Sequence, residues 1–358
     1  MKGEDKMNQD KSLNDVCGMC CGILKPKFRL ISNVLGGEFA PPEGTDVFID
    51  LNTAMTVLMG SNKVMTKIPF ASDFEMTLIS NIFGIILHWK RFMRRKANTR
   101  IFAIVNDPEN TALAEKDIQK TYLSPYTTKM AAERNKQFVY YWKEAIKKVE
   151  IILHYIPSVY LINCDKFDSY VVPNLPLSDQ NDRYKIIVTG NAFFTNYVNM
   201  PKTYVFYSRY TGYKVSQLTD PAMIVQAVSK IDEDIMATFI KNRVFYDILS
   251  AIIGDFDRGI IGISQYGITS FAADLLRAYE RHEIPEDPSS LDSVLPALKS
   301  EFHDYLKKAY QLVDIPTHTK LIKPSMIEKV KSRMIDLYDL DGLAKIQVRD
   351  IDLLEFID

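Results

Sequence analysis

Short apolar runs recur along the first two thirds of the chain, at Val47–Leu51, Arg100–Val105, Ser158–Ile162, Tyr184–Thr189 and Tyr204–Tyr207. Helical pattern separates the earlier ones, from about Asp73 to Lys96 and from Tyr126 to Val149. A strand covered on both faces needs apolar residues at consecutive positions, and strands separated by helices pair in parallel. The expected fold is therefore α/β, with a twisted, mainly parallel central sheet flanked by helices. These runs end in polar residues: Asp50 and Asn52, Asn106 and Asp107, Asp165 and Asp168, Asn191. Strand ends are polar wherever loops begin, so one such acid says little. A series of them says more, because open α/β sheets gather their sites at the carboxyl ends of strands.

The segment Gly254–Gly267 (Gly-Asp-Phe-Asp-Arg-Gly-Ile-Ile-Gly-Ile-Ser-Gln-Tyr-Gly) lies between two apolar helical stretches, Val244–Ile253 and Thr269–Tyr279. Glycines set among isoleucines describe a tight turn with a hydrophobic underside. Glycine reaches positive φ and permits close approach of another molecule. A turn that opens a helix aims backbone N–H groups outward, which suits a phosphate. An ordinary helix–loop–helix carries the same punctuation.

The order of residues within the segment resembles the helix-three-turn-helix of the 5′-nuclease family, the flap endonucleases and phage 5′–3′ exonucleases. That pattern reads Gly-Asp-x-x-Asp-Asn-Ile-x-Gly-Val/Ile-x-Gly-Ile-Gly. Gly254, Asp255, Ile260, Gly262, Ile263 and Gly267 fall on it without a gap. Arg258 stands where the second aspartate belongs and Gln265 where the middle glycine of the Gly-Ile-Gly belongs. The resemblance implies a PIN-like fold, a duplex-gripping hairpin, and Mg²⁺ or Mn²⁺ held by acids from several strand ends. Hydrolysis of this type uses two metal ions a few ångströms apart, and magnesium takes hard oxygen ligands.

Followed residue by residue, the resemblance implies a catalytic set of Asp50, Asp107, Asp165, Asp168 and Asp255, with Asp50, Asp107, Asp168 and Asp255 as weak metal ligands. Asp50 takes the first-strand place and Asp107, or Asn106, the second. Cys164-Asp165-Lys166-Phe167-Asp168 takes the place of a Glu-Ala-Asp-Asp cluster. Asn191 and Phe193, in Val-Thr-Gly-Asn-Ala-Phe, stand where an Asp-x-Asp belongs. Asp257 lies one residue from the place of the missing hairpin acid. An amide ligates without charge, phenylalanine does not ligate, and arginine repels a cation. The metal half of the pattern is eroded, and the second metal suffers most. The nucleic-acid half implies contacts by Gly262 and Gly267, with Arg94, Arg95, Lys129 and Arg134 as phosphate partners; Lys96 and Lys120 lie on the same tracks.

The net charge of −1 does not announce a nucleic-acid binder. Its distribution permits a local positive face, since Lys90–Arg100 and Lys129–Lys148 are basic while the segment beyond Asp336 is acidic. Solvated helix faces are the plainer reading of such runs. The aromatics Phe138, Tyr140, Tyr141 and Trp142 read as packing residues rather than base-stacking ones.

At 47% hydrophobic and 25% charged, the composition is that of a soluble globular protein. Met1–Asp15 is too polar for a signal peptide, and the apolar run Met76–Trp89 is too short to span a bilayer. Cys17, Cys20 and Cys21 cluster without a second Cys/His pair, and Cys164 stands apart. A reducing, cytoplasmic compartment fits this usage, and the resemblance to phage exonucleases extends the expectation to a virus-infected host cell. The division expected is an extension over 1–40, a 5′-nuclease-like core over 41–285 with its hairpin at 244–280, and a helical region over 286–358. That last region holds expected helices at Leu291–Leu312 and from about Pro324 to Leu337. Arg349–Asp358 mixes acids with apolar residues and reads either as a docking segment for a protein partner or as a terminal element.

These readings leave a DNA-binding protein with an eroded metal site, an active Mg²⁺-dependent 5′–3′ exonuclease or flap endonuclease, and an assembly subunit reusing the fold. DNA flaps or duplex ends are the expected partner of the first two, and no membrane is expected for any.

Overall fold

The computed structural model describes residues 29–30, 43–51, 71–93, 97–106, 136–164, 169–177, 183–189, 194, 196–197, 200–207, 242–253, 262–263, 268–285, 287–334, 342, 344–346 and 348. Its centre is a sheet of strands β1 (Arg29–Leu30), β2 (Thr45–Asp50), β3 (Arg100–Asn106), β4 (Val159–Cys164), β5 (Tyr184–Thr189) and β6 (Thr203–Tyr207). The order across the sheet is β1-β6-β5-β2-β3-β4. Strands β2 to β6 pair in parallel, as their apolar runs predict. Strand β1 pairs antiparallel with β6, in the stretch 1–40 read from sequence as an extension. Two residues added to a sheet edge leave no periodicity to read.

Alternation along the strands sorts the sheet into two apolar faces. Val47, Ile49, Ile101, Ala103, Val159, Leu161, Ile186 and Val188 face one side. There they meet α1 (Ala71–Met93) and α2 (Lys136–Leu153), through Leu78, Ile82, Phe83, Ile86, Trp89, Trp142, Ala145 and Val149. Phe48, Phe102, Ile104, Tyr160, Ile162, Ile187 and Val205 face the other side. This second face is covered by Tyr170–Val172, Phe194 and Tyr197, and by Ile315, Ile322 and Val330 of the C-terminal helices. Trp142 is buried, as expected of a packing aromatic, but Tyr140 is 60% exposed and belongs to the solvent face of α2.

A third apolar cluster joins α3 (Arg243–Ile253), α4 (Ile268–Glu280) and α5 (His303–Val313). Asn242 caps α3, its Oδ1 accepting the Phe245 N–H at 3.2 Å. The stretch 291–312, expected as one amphipathic helix, is a chain of short 3₁₀ turns at Leu291–Ser293, Leu295–Ala297 and Ser300–Phe302 before α5 begins. Pro296 has no N–H for an α-helical bond, and apolar residues three or four apart serve a series of 3₁₀ turns equally well. Helices α6 (Ile315–Leu321) and α7 (Pro324–Ser332) follow. Asp314 caps α6 by accepting the Thr317 N–H at 2.9 Å, and prolines stand at both helix starts.

The amino edge of the sheet is pinned by charge. The Asp46 carboxylate accepts two bonds from Arg100, at 2.8 and 2.6 Å, and one from Arg183 Nε at 2.8 Å. Arg183 also donates to the Asn98 carbonyl. Arg100, counted from sequence with the basic stretch Lys90–Arg100, is therefore ion-paired at the edge opposite to Asp50. Removing one member of a buried charge cluster leaves the others unpaired. Asp46→Ala is expected to cost about 3 kcal/mol or more in urea unfolding. A loss under about 0.5 kcal/mol would mean that the arginines are solvated.

His88 is buried on α1, its Nδ1 has no hydrogen-bond partner among the described residues, and burial followed by the Arg91 charge lowers its pKa to about 4. The neutral ring is the one the fold accepts. Its contribution is complete above the unfolded value of 6.5 and is lost as pH falls toward 4. Unfolding free energy should drop across that window in the wild type and drop less in His88→Leu. Parallel pH profiles for the two proteins would rule out a buried neutral histidine.

Candidate functional site

The chain runs from β2 to β3 and β4 on one side, then returns to place β5 and β6 on the other side of β2. Strands β2 and β5 are thus the neighbours at which the winding reverses. Such a reversal opens a crevice outside the carboxyl ends of the two strands. Asp50 ends β2 and Thr189 ends β5, so both border that crevice. Asp50 is 5% exposed and Thr189 1% exposed. The Thr189 hydroxyl donates to Asp50 Oδ2 at 2.8 Å. A carboxylate this buried requires hydrogen bonds to remain in place, and the threonine supplies one. Asp50 was legible as an acid at a strand end. Thr189 was not, because a hydroxyl at a strand end has no distinctive pattern.

Of the other expected site residues, only Gly262 is described. Asp107, Asp165, Asp168, Asp255, Gly267, Arg94, Arg95, Lys129 and Arg134 lie outside the described residues, as do Asn191, Phe193 and Arg258. In sequence, Asp107 directly follows β3 and Asp165 directly follows β4. Asn106 pairs with Cys164 at the ends of those strands. Among the described residues, no group of three or more His, Cys, Asp or Glu is placed to hold a metal ion. Asn163, one residue before the end of β4, has a buried Oδ1 without a hydrogen-bond partner among the described residues.

Gly262 has φ +70, a conformation that suits glycine and strains other residues. Its N–H donates to the Tyr305 hydroxyl at 2.8 Å, and that hydroxyl donates to the Ala251 carbonyl at 3.2 Å. The next residue, Ile263, is buried and donates its N–H to the Ile252 carbonyl at 2.7 Å. A helix leaves its last carbonyls without intrahelical partners. Here the far end of the glycine segment and a side chain from α5 take two of them. Gly262, which the resemblance places among the nucleic-acid contacts, has its amide engaged by the Tyr305 hydroxyl.

Two lysines of the basic face expected on α2 are paired. Lys147 bonds Glu144 at 2.7 Å, and Lys148 pairs with Glu75 of α1. Lys90 donates to the Pro157 carbonyl at 3.3 Å. These cations tie helices and loops together, as solvated, mutually compensated faces do.

Between α3 and the C-terminal helices lies a buried polar cluster that sequence reading missed. Asn196 Nδ2 donates to Asp247 Oδ1 at 2.9 Å and to the Val313 carbonyl at 3.1 Å. Ser250 donates to Asn196 Oδ1 at 3.1 Å. Arg243 Nε stands 3.4 Å from Asp314 Oδ1 and 3.9 Å from Asp247 Oδ2. One arginine faces two buried carboxyls. Burial first, then the charge of Asp314, raises the Asp247 pKa well above the usual carboxylate range. An acid in an apolar helix such as Arg243–Ile253 is a visible signal, but its partners lie about 50 to 70 residues away and only folding assembles them.

With its folded pKa raised, Asp247 contributes stability below its unfolded value, and that contribution is lost as pH rises through the folded one. Asp247→Asn keeps an acceptor for Asn196 and removes the charge. The variant should gain stability relative to wild type as pH is raised above the ordinary carboxylate range, measured by urea unfolding. A wild-type–variant difference that does not change with pH would show Asp247 to be ionised throughout.

Among solved structures, the chain is similar to a zinc-bound 5′-exonuclease of T5, at 12% identity and TM-score 0.44, over 81% of this chain and 98% of that one. It is also similar to a T5 protein crystallised with metal ions, at 12% identity and TM-score 0.42, over 81% and 98%. A third is the bacteriophage T5 flap endonuclease in a pseudo-enzyme–product complex with DNA and metal ions, at 12% identity and TM-score 0.42, over 84% and 100%. No protein-family model and no curated protein matches the chain. At these identities and TM-scores, the chemistry of the chain has to be read from its own residues.

Proposed function

We propose that this chain is a nucleic-acid-binding protein of 5′-nuclease type whose capacity for metal-dependent hydrolysis is weak or lost. The observation that carries the reading is the place of Asp50: a buried carboxylate, held by Thr189, at the carboxyl end of the strand where the sheet reverses. That is the place at which a parallel sheet presents a site. The acids Asp107, Asp165 and Asp168 follow the neighbouring strands in sequence, and the glycine segment follows α3. DNA flaps or duplex ends are the ligand this arrangement suits.

The residues fit one hard metal ion poorly and a pair not at all. Oxygen donors are present, with Asp50 first among them, and Mg²⁺ or Mn²⁺ would be the fitting ion. Asn191, Phe193 and Arg258 stand where the resemblance expects three further carboxylates. A second cation there would lack charge compensation and would meet a guanidinium. No hydrolytic step is therefore derived for this chain.

The pairing of the α2 lysines and the engagement of the Gly262 amide favour one other reading, an assembly subunit that uses the fold for protein contacts. Binding and cleavage of a 5′-flap DNA and a matched duplex, with and without Mg²⁺ or Mn²⁺, separate these readings. The proposal expects binding that weakens as salt rises, because neutralised phosphates release counterions. It expects no metal-dependent product beyond traces. Robust cleavage abolished by Asp50→Asn would establish an active nuclease. Absence of both binding and cleavage would leave the assembly reading.

A further inference from the structure

We propose that the amino edge of the sheet, opposite Asp50, holds a second binding site, at which Lys185, Arg100 and Arg183 take a phosphate group. Strand register places Arg100 of β3, Asp46 of β2, Lys185 of β5 and Thr203 of β6 side by side in one row. Neighbouring strands lie about 4.8 Å apart, so the row brings these side chains together on one face. It is the face of Phe48, Phe102, Ile187 and Val205, each two positions further along its strand. The Arg100 guanidinium accordingly lies over the Phe102 ring, 5.4 Å from its centroid.

Asp46 is taken by the two arginines. Lys185, its neighbour on the other side, makes no hydrogen bond or ion pair through its side chain with any described residue. Thr203, next in the row, has its hydroxyl proton on the Pro201 carbonyl at 3.0 Å. Arg100 gives two N–H groups to Asp46, and Arg183 gives one to Asp46 and one to the Asn98 carbonyl. Their remaining N–H groups have no acceptor among the described residues. Three cations thus meet one carboxylate, and a phosphate dianion cancels the surplus while its oxygens accept from all three.

The plainer reading is a lysine that lays its stem along the sheet and keeps its head in water. Burial is the larger influence on Lys185 and lowers its pKa against the opposing pull of Asp46, which a hydrated head would not show. The arginine side chains are only 17% and 11% exposed, so salt screens the surplus weakly. Parallel sheets present ligands at their carboxyl ends, and it is charge rather than winding that marks this edge. The proposal does not depend on the nucleic-acid reading.

The test titrates the full chain with inorganic phosphate at constant ionic strength, chloride making up the balance. Binding is followed by calorimetry and stability by urea unfolding, and both are repeated with a nucleoside 5′-monophosphate. A ligand taken up by the folded chain raises its unfolding midpoint. The expected result is saturable binding and a midpoint that rises beyond the chloride control. Lys185→Met should weaken the Kd by about tenfold or more, yet be at least as stable as wild type without phosphate, because it removes a half-buried charge that lacks a partner. Lys185→Arg, which keeps the charge, should retain saturable binding. Tighter binding of the monophosphate supports the site with a nucleotide as the source of the group, and equal or weaker binding supports it with free phosphate. No stabilisation beyond the chloride control overturns the proposal, and so does an unchanged Kd in Lys185→Met. The first of these is read on wild type alone, so it decides even where Lys185→Met does not fold.

Discussion

A parallel sheet cannot leave a face to water when its strands are apolar on both sides, and the rest of this chain is arranged to meet that requirement. Phe48 and Phe102 stack on one face with centroids 4.9 Å apart, while Val47, Ile49 and Ile101 stand on the other. The crossover helices α1 and α2 cover only the latter. The former face is closed by segments beyond β4 and by Ile315, Ile322 and Val330 near the end of the chain. The C-terminal helices are thus part of the cover of the sheet rather than an appendage to it. Bonds such as Asn174 Nδ2 to Thr319 Oγ1, at 3.0 Å, and His318 Nδ1 with the Tyr170 hydroxyl, at 2.7 Å, hold that cover in register.

The same requirement sets the site. With both faces covered, the strand ends are where a parallel sheet presents a site, and the reversal of winding at β2 and β5 marks one position along the carboxyl edge. Asp50 and Thr189 occupy it. At the opposite edge Asp46 is consumed by two arginines. Two acids four residues apart on one strand therefore have different fates. One is neutralised by an ion-pair cluster that anchors β2 to its neighbours, and the other lies buried at the strand end beside the reversal, accepting from the Thr189 hydroxyl.

The strands and the helices α1, α3 and α4 were legible because their patterns are local: apolar runs of strand length, and apolar stripes bounded by charge or glycine. The start and end of the glycine segment were legible for the same reason. The edge strand at Arg29–Leu30 has too few residues to show a period. The 3₁₀ turns before α5 imitate a helical stripe. In the site, the acid Asp50 could be read from its place after a run of apolar residues, whereas the expectation of carboxylates at Asn191, Phe193 and Arg258 rests on the resemblance of motifs alone. Thr189, Tyr305 and the cluster around Asp247 could not be read, because each matters through a partner remote in sequence, and such pairings exist only once the chain has folded.

Two kinds of group are set against each other in this protein. The contacts of Gly262 with Tyr305 and of Ile263 with Ile252 are hydrogen bonds between uncharged groups, so they do not depend on the acids around the strand ends. A two-metal centre does, since each cation depends on the number of carboxylates around it. The count of Mn²⁺ ions bound per chain, by titration calorimetry in the absence of DNA, tests this contrast most directly. The account predicts no more than a single weakly bound ion, lost in Asp50→Asn. Two bound ions, with Arg258 and Asn191 in place, would contradict it.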